Sequence, residues 1–223
     1  MCPCNESDSK LPTSPLGALK SLNKGPTRHI LLVRHGQYTL ASEDKDRKLT
    51  KLGREQARLT GQRLAEWAAQ RPEPITKIYS SSLQRASETA EIIAKALPKA
   101  SLARDPLLAE GVPCLPNPTP DIAVGQGDLD RIEDAFSKYF YRELWDRKKG
   151  NSGPKETYEL VVCHGNVIRY LCCRSLQLPP EAWSRFVLNN CSVTHIEIRP
   201  SGEVCLLSLG DTSQLPEHYI TFN

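Results

Sequence analysis

Two histidines in this chain each follow directly on an apolar run. Ile30-Leu31-Leu32-Val33 leads into Arg34-His35-Gly36, and Tyr158-Glu159-Leu160-Val161-Val162-Cys163 leads into His164-Gly165-Asn166. Imidazole can act as nucleophile or base near neutral pH. Arg34 adds a forked guanidinium that fits the oxygens of an anion, and Gly36 permits a tight turn beside whatever binds there. Arg85, at the start of a predicted helix, supplies a second guanidinium. Two histidines, two arginines and the amino ends of helices suit an anion with several oxygens, and phosphate is the natural candidate.

These residues must be brought to one edge by the elements around them. Runs of consecutive apolar residues read as strands buried on both faces, and open α/β folds bind ligands at the carboxyl ends of such strands. The first strand is expected over about Arg28–Val33. Thr50 offers an N-cap for a helix to about Ala69, whose stripe includes Leu52, Ala57, Leu64 and Trp67. A short strand over Ile75–Tyr79 follows. Ser81 and Gln84 form a capping-box pattern for a helix over Leu83–Leu97. A third strand covers Ser101–Arg104. The stretch from Gly111 to Gly127 is rich in proline and reads as a binding loop. Asp128 is expected to cap a helix to about Arg147. The strand Tyr158–Cys163 precedes a helix starting near Asn166 and ending near Leu176, and Pro180 starts a short helix carrying Trp183. Pro200-Ser201-Gly202 joins Ser192–Ile198 and Glu203–Leu209 as a hairpin. Residues 1–27 read as a disordered lead-in, 28–209 as one catalytic domain and 210–223 as an irregular tail.

Composition narrows the function. A formal charge of +3, with 39% apolar and 25% charged residues, describes an ordinary globular chain. No aromatic-plus-basic stripe argues for nucleic acid. No stretch approaches the roughly 20 apolar residues of a membrane helix, and Met1–Glu6 lacks the pattern of a secretory signal. Cys163, Cys172, Cys173, Cys191 and Cys205 lie in apolar segments as small buried hydrophobes, which points to a reducing, intracellular compartment. Cys2 and Cys4 stand apart in the lead-in. With no C-x-x-C pair, no zinc site is expected.

The Arg34-His35-Gly36 strand end, Ser80-Ser81-Ser82-x-x-Arg85-Ala86-x-x-Thr89-Ala90, Glu110-Gly111 after a leucine pair, and Cys163-His164-Gly165 together resemble the histidine phosphatase (phosphoglycerate mutase-like) superfamily. The motifs fall in the family's order between about Thr27 and Leu209. Asp46–Thr50, Leu52–Ala57, His164–Tyr170, Leu188–His195 and Leu209–Thr212 bring the resemblance closer to its serine/threonine protein-phosphatase branch. The resemblance implies a three-layer α/β fold with a mostly parallel central sheet flanked by helices. It also implies a metal-independent, cofactor-free phosphatase of phosphoprotein substrates, a homodimer and an association with the mitochondrion, the cytoplasm being the alternative.

On that reading His35 accepts the phosphoryl group as a phosphohistidine. Arg34 and Arg85 hold the equatorial oxygens, where transition-state charge spreads. His164, charged beside the phosphate, adds a donor. Glu110, identified from its place in the family pattern, is the general acid and later the base that activates water. Asn166 reads as a helix cap that also touches the phosphate. His195 reads as a sheet residue, His29 and His218 as surface residues, Arg131 as solvated, and Trp67, Trp145 and Trp183 as core or interface anchors.

Gln37 stands where sugar-phosphate mutases place a glutamate, which disfavours a glycolytic mutase. The branch's membrane helix and repeated Trp-Asp motif are not visible; the one Trp-Asp pair is Trp145-Asp146. A weakly active scaffold that binds phosphopeptides, and a phosphatase of small phosphorylated metabolites, are the competing readings.

Overall fold

A computed structural model describes residues 25–119, 127–142 and 153–222. The lead-in with Cys2 and Cys4, the centre of the proline-rich loop, and Trp145 lie outside these residues.

Six strands form one sheet in the order β3-β2-β4-β1-β5-β6. They are β1 (Thr27–Arg34), β2 (Ile75–Ser81), β3 (Ser101–Asp105), β4 (Glu156–Cys163), β5 (Val193–Ile198) and β6 (Val204–Asp211). The first four run parallel, and β5 and β6 are antiparallel additions on the β1 side. The apolar run of β1 is divided by the two-residue period of a strand. Ile30 and Leu32 pack with α3 (Asp128–Tyr139) and α4 (Gly165–Ser175) on one face. Leu31 and Val33 pack with α1 (Lys51–Ala69) and α2 (Gln84–Ala94) on the other. β4 divides likewise, Val161 and Cys163 facing one layer and Leu160 and Val162 the opposite one. The three-layer α/β fold implied by the resemblance is therefore present, and β1 and β4 are its central pair.

Local signals decided some boundaries and long-range partners decided others. Thr50 caps α1 as expected, its hydroxyl accepting from the Gly53 amide at 3.0 Å. The Ser81–Gln84 capping box does not form. Ser81 lies in β2, and α2 starts after Leu83 with no side-chain cap of its own. The Gln84 amide instead donates to Asp44, 40 residues earlier, at 3.0 Å. Asp128 is the first residue of α3 rather than its cap. That helix ends at Tyr139, short of the expected Arg147, where buried Arg28 takes the carbonyls of Tyr139 at 3.0 Å and Tyr141 at 2.7 Å. These off-axis bonds satisfy carbonyls that would otherwise continue the helix. Arg28 also pairs with Glu159 and lies over the Tyr141 ring.

His29 is buried, not a surface residue; its Nδ1 lies 3.0 Å from Nε2 of His195 and its ring stacks on Tyr158. Burial, followed by the neighbouring His29, pulls His195 down to about 4. His218 is exposed and Trp183 is buried, as expected. The tail is less irregular than its composition suggests: β6 runs through Gly210 to Asp211, and residues 217–222 fold back toward the end of β1. No helix among the described residues is long and apolar enough to cross a membrane.

The amino end of α1 lies against the end of β1 with no room between them. A Cβ on Gly53 would stand 1.9 Å from the Gln37 carbonyl oxygen, and one on Gly36 would stand 2.6 Å from the Gly53 oxygen. Both obstacles are backbone. Gly53→Ala is therefore expected to lose about 2 kcal/mol, because overpacking outweighs the helix propensity gained. Its melting temperature should fall by roughly 4–8 °C; an unchanged melting temperature would contradict this packing.

Candidate active site

Parallel pairing places Arg34 beside Cys163 and Ser80 beside Val162. The residues that follow β1, β2 and β4 therefore emerge at one edge of the sheet, and Arg34, His35, Arg85 and His164 gather there.

His35 is buried and held from several sides. Its amide donates to the Cys163 carbonyl at 3.0 Å, and its carbonyl accepts from Asn190 Nδ2 at 3.1 Å. The imidazole Nδ1 lies 2.9 Å from the Gly36 carbonyl oxygen, an acceptor only, so Nδ1 carries the proton. Nε2 is left with a lone pair, and Arg85 Nε–H points to it at 3.3 Å. Burial, then the charge of Arg85, hold the His35 pKa well below the ordinary histidine value; the Gly36 bond opposes them and Arg34 adds to them. The ring is thus neutral and oriented at cellular pH, with the free lone pair that nucleophilic attack would require.

Arg85 is also buried, with Nη1 3.6 Å from Asp44 Oδ1 and its Cζ 4.9 Å from the centre of the Tyr38 ring. Thr89, one turn along α2, accepts from the Gly36 amide at 3.0 Å and donates to the Arg85 carbonyl at 2.7 Å. This hydroxyl couples the turn after His35 to the helix carrying Arg85. Tyr38 stands edge-on to the His35 ring at 5.2 Å. Arg34 Nη1 donates to the carbonyls of Leu188 at 2.6 Å and Phe222 at 2.9 Å.

His164 is wholly buried at the start of α4, its ring 5.1 Å from that of His35. Nε2 lies 2.8 Å from Ser81 Oγ, so the serine expected to cap a helix anchors a histidine instead. Nδ1 faces Glu110 Oε2 at 3.9 Å. Burial, followed by His35, Arg85, Arg34 and Arg131, pushes the His164 pKa well down. Without an anion beside it the ring is therefore held toward the neutral form; the phosphate dianion beside which a charged His164 is expected acts in the opposite direction.

Burial raises the Glu110 pKa against the lowering influence of Arg85, the Gly111 amide, Arg34 and the Asn166 amide. Desolvation outweighs the two arginines. Glu110 Oε1, His164 Nδ1 and Arg85 Nη1 are buried without a hydrogen-bond partner. Such orphaned donors and acceptors call for partners the chain itself does not supply. Donor atoms of His35, Glu110 and His164 lie within 4.8 Å of one another, close enough to share a metal ion. The neighbouring guanidiniums make the place far better suited to an oxyanion.

Asn166 is the second residue of α4 and not its cap, a place held by His164. Its amide donates to the Gly111 carbonyl at 3.2 Å, and its oxygen accepts from Arg169 at 3.3 Å. Arg131 is not a solvated side chain. Its guanidinium donates to the carbonyls of Leu107 at 3.0 Å, Ala109 at 2.5 Å and Glu110 at 3.1 Å, and to Asp128 at 2.9 Å. From sequence, Thr89, Tyr38, Asn190, Arg169 and the tail had no role of their own at this site. Phe222 lies against two cations, with Cζ of Arg34 at 5.3 Å and of Arg169 at 5.7 Å from its ring centre. The one signal for Asn190 was its place in a stretch that carried the family resemblance; polar residues in a tail carry none.

Comparison with known proteins places the chain in a family. The chain is 47% identical over 201 residues to the rat serine/threonine-protein phosphatase PGAM5, mitochondrial, covering 87% of this chain and 66% of the relative. It is 45% identical over 203 residues to the Caenorhabditis elegans serine/threonine-protein phosphatase Pgam5, mitochondrial, covering 88% of this chain and 67% of that one. The chain thus spans just under two thirds of the rat relative's length. Among solved structures, a phosphoglycerate mutase from Plasmodium falciparum superposes with a TM-score of 0.60 at 37% identity, covering 86% of this chain and 96% of that one. A mycobacterial glucosyl-3-phosphoglycerate phosphatase in complex with inorganic phosphate gives 0.61 at 21% identity, covering 85% of this chain and 100% of the other, a likeness of fold alone. The family model described as histidine phosphatase superfamily (branch 1) matches residues 30–112 and 140–210. That match takes in the strand ends with Arg34, His35 and His164 and the helix with Arg85, and by it the chain belongs to the histidine phosphatase superfamily.

Proposed function

We propose that the chain is a phosphatase of phosphoserine and phosphothreonine in proteins, working through a phosphohistidine on His35. The observation that carries this reading is the hydrogen bond from His35 Nδ1 to the Gly36 carbonyl, which leaves the Nε2 lone pair beside Arg85. Nε2 attacks phosphorus in line, a P–N bond forms and the bond to the leaving oxygen breaks. Arg34, Arg85 and His164 hold the equatorial oxygens, and Asn166 borders them from the first turn of α4. Glu110, with its pKa raised, gives its proton to the departing serine or threonine oxygen. The resulting carboxylate then takes a proton from water, whose oxygen attacks phosphorus. The P–N bond breaks, phosphate leaves and Nε2 recovers its lone pair.

The names of the relatives support protein substrates and association with the mitochondrion. A homodimer and a catalytic domain over residues 28–209 are proposed on the family resemblance; the mass in solution tests the former. The test of activity offers the protein phosphoserine and phosphothreonine peptides and small phosphate esters in the presence of a chelator. Turnover of the peptides that persists in chelator, with an acid-labile phosphoprotein trapped on rapid quenching, is expected. Tight peptide binding without phosphate release would support a scaffold instead, and turnover of small esters alone would move the substrate to metabolites.

A further inference from the structure

We propose that Arg131 is a positioning residue that fixes Glu110 for proton transfer, acting through the backbone of the turn over residues 107–112. This rests on the phosphatase reading above. Among the described residues, all four of its side-chain hydrogen bonds go to that turn or to Asp128. Nη1 serves the Leu107 and Ala109 carbonyls, and Nη2 serves the Glu110 carbonyl and Asp128 Oδ1. Asp128 completes the clamp, its other oxygen accepting from the Val112 amide at 3.0 Å. Asn166 closes the far side through the Gly111 carbonyl at 3.2 Å. Leu107, Ala109, Glu110, Gly111 and Val112 each have a backbone group held by Arg131, Asp128 or Asn166.

Packing agrees with the hydrogen bonding. A Cβ on Gly111 would stand 2.5 Å from Asp128 Cγ and 2.6 Å from Arg131 Nη2, so the turn lies flush against the pair. Four of the five N–H groups of the guanidinium are held by carbonyls and a carboxylate of this turn. Its charge also reaches His164, as the last of the causes that lower that pKa, so its larger effect on chemistry is through the position of Glu110. The planar fork is what allows one side chain to hold three carbonyls. Proton transfer is sensitive to a displacement of about 1 Å, so loosening this turn should be felt at the step where Glu110 acts.

Leaving-group dependence separates positioning from direct phosphate binding. The ratio kcat/KM reports the steps through departure of the leaving group. An alkoxide from phosphoserine needs a proton there, whereas 4-nitrophenolate leaves without one. Arg131→Met should lower kcat/KM on a phosphoserine peptide by roughly 10–100-fold. On 4-nitrophenyl phosphate the loss should be less than about 3-fold. Arg131→Lys, which keeps a cation with several donors, should recover part of the loss and serves if the methionine variant fails to fold. Placed on Glu110→Gln, either substitution should cost nothing further on the peptide, since residues acting as a unit are not additive. Equal losses on both substrates, a full additional loss on Glu110→Gln, or no loss at all would overturn the assignment while leaving the phosphatase reading intact. A wild-type protein that turns over neither substrate would remove that reading, and this assignment with it.

Discussion

Replacing His35 with alanine should lower phosphate release by on the order of 10⁴-fold or more, because the group that forms the covalent intermediate is removed. The acid-labile phosphoprotein should vanish along with turnover. The folded state should survive: the backbone bonds of His35 to Cys163 and Asn190 do not involve its ring. Vanadate should still bind, since Arg34, Arg85 and His164 remain. Phosphate release at a comparable rate from wild type and the His35→Ala variant would eliminate His35 as the nucleophile. The environment of the ring also sets a pH dependence. Its pKa is held well below the usual histidine value by burial and then by Arg85. The neutral, reactive form therefore persists to lower pH than for a free histidine, and the acidic limb of kcat/KM assigned to this group should fall below about pH 6.5.

The second large effect is expected at Arg85. Its Nε faces the nucleophile at 3.3 Å while Nη1 is buried without a hydrogen-bond partner. It can therefore orient the imidazole and neutralise the phosphoryl oxygens together. Arg85→Ala should reduce kcat/KM by about 10³-fold or more, within the range seen for arginines that stabilise transferring phosphoryl groups. Lysine should restore little, because a point charge cannot present two donors in one plane. Arg85 lowers the His35 pKa, so its removal must raise it, and the acidic limb should move to higher pH in Arg85→Ala. A profile that falls in amplitude without moving would show that Arg85 is too weakly coupled to His35 for this account.

The parts of the molecule read correctly from sequence are those governed by neighbours in the chain. The apolar runs ending at Val33 and Cys163 could only be strands covered on both faces, and Thr50 capped the nearest free amides. Misreadings fell where a local option lost to a remote partner. Ser81 had a helix amide to cap three residues away and instead anchors His164, with Asp44 taking the amide. Asp128 and Arg131 resemble an ordinary acidic helix start with its solvated i,i+3 partner until the turn at Glu110 is laid against them. His29 sits at the exposed-looking start of a strand and is covered by Tyr158 and His195 from neighbouring strands. Charge and spacing in one dimension cannot choose among such partners, because the choice is made by register across the sheet.

The return of the tail to the end of β1 orders events in time. Asn190 joins the His35 carbonyl to Thr221, which accepts and donates to it at 2.9 and 2.8 Å, and Arg34 is bound to the Phe222 carbonyl. Partners so distant must be joined by closing nearly the whole chain into one loop, at an entropic cost met late in folding. During synthesis His35 leaves the ribosome long before the residues that brace it. A nascent chain therefore carries His35 without this brace until residue 222 has emerged.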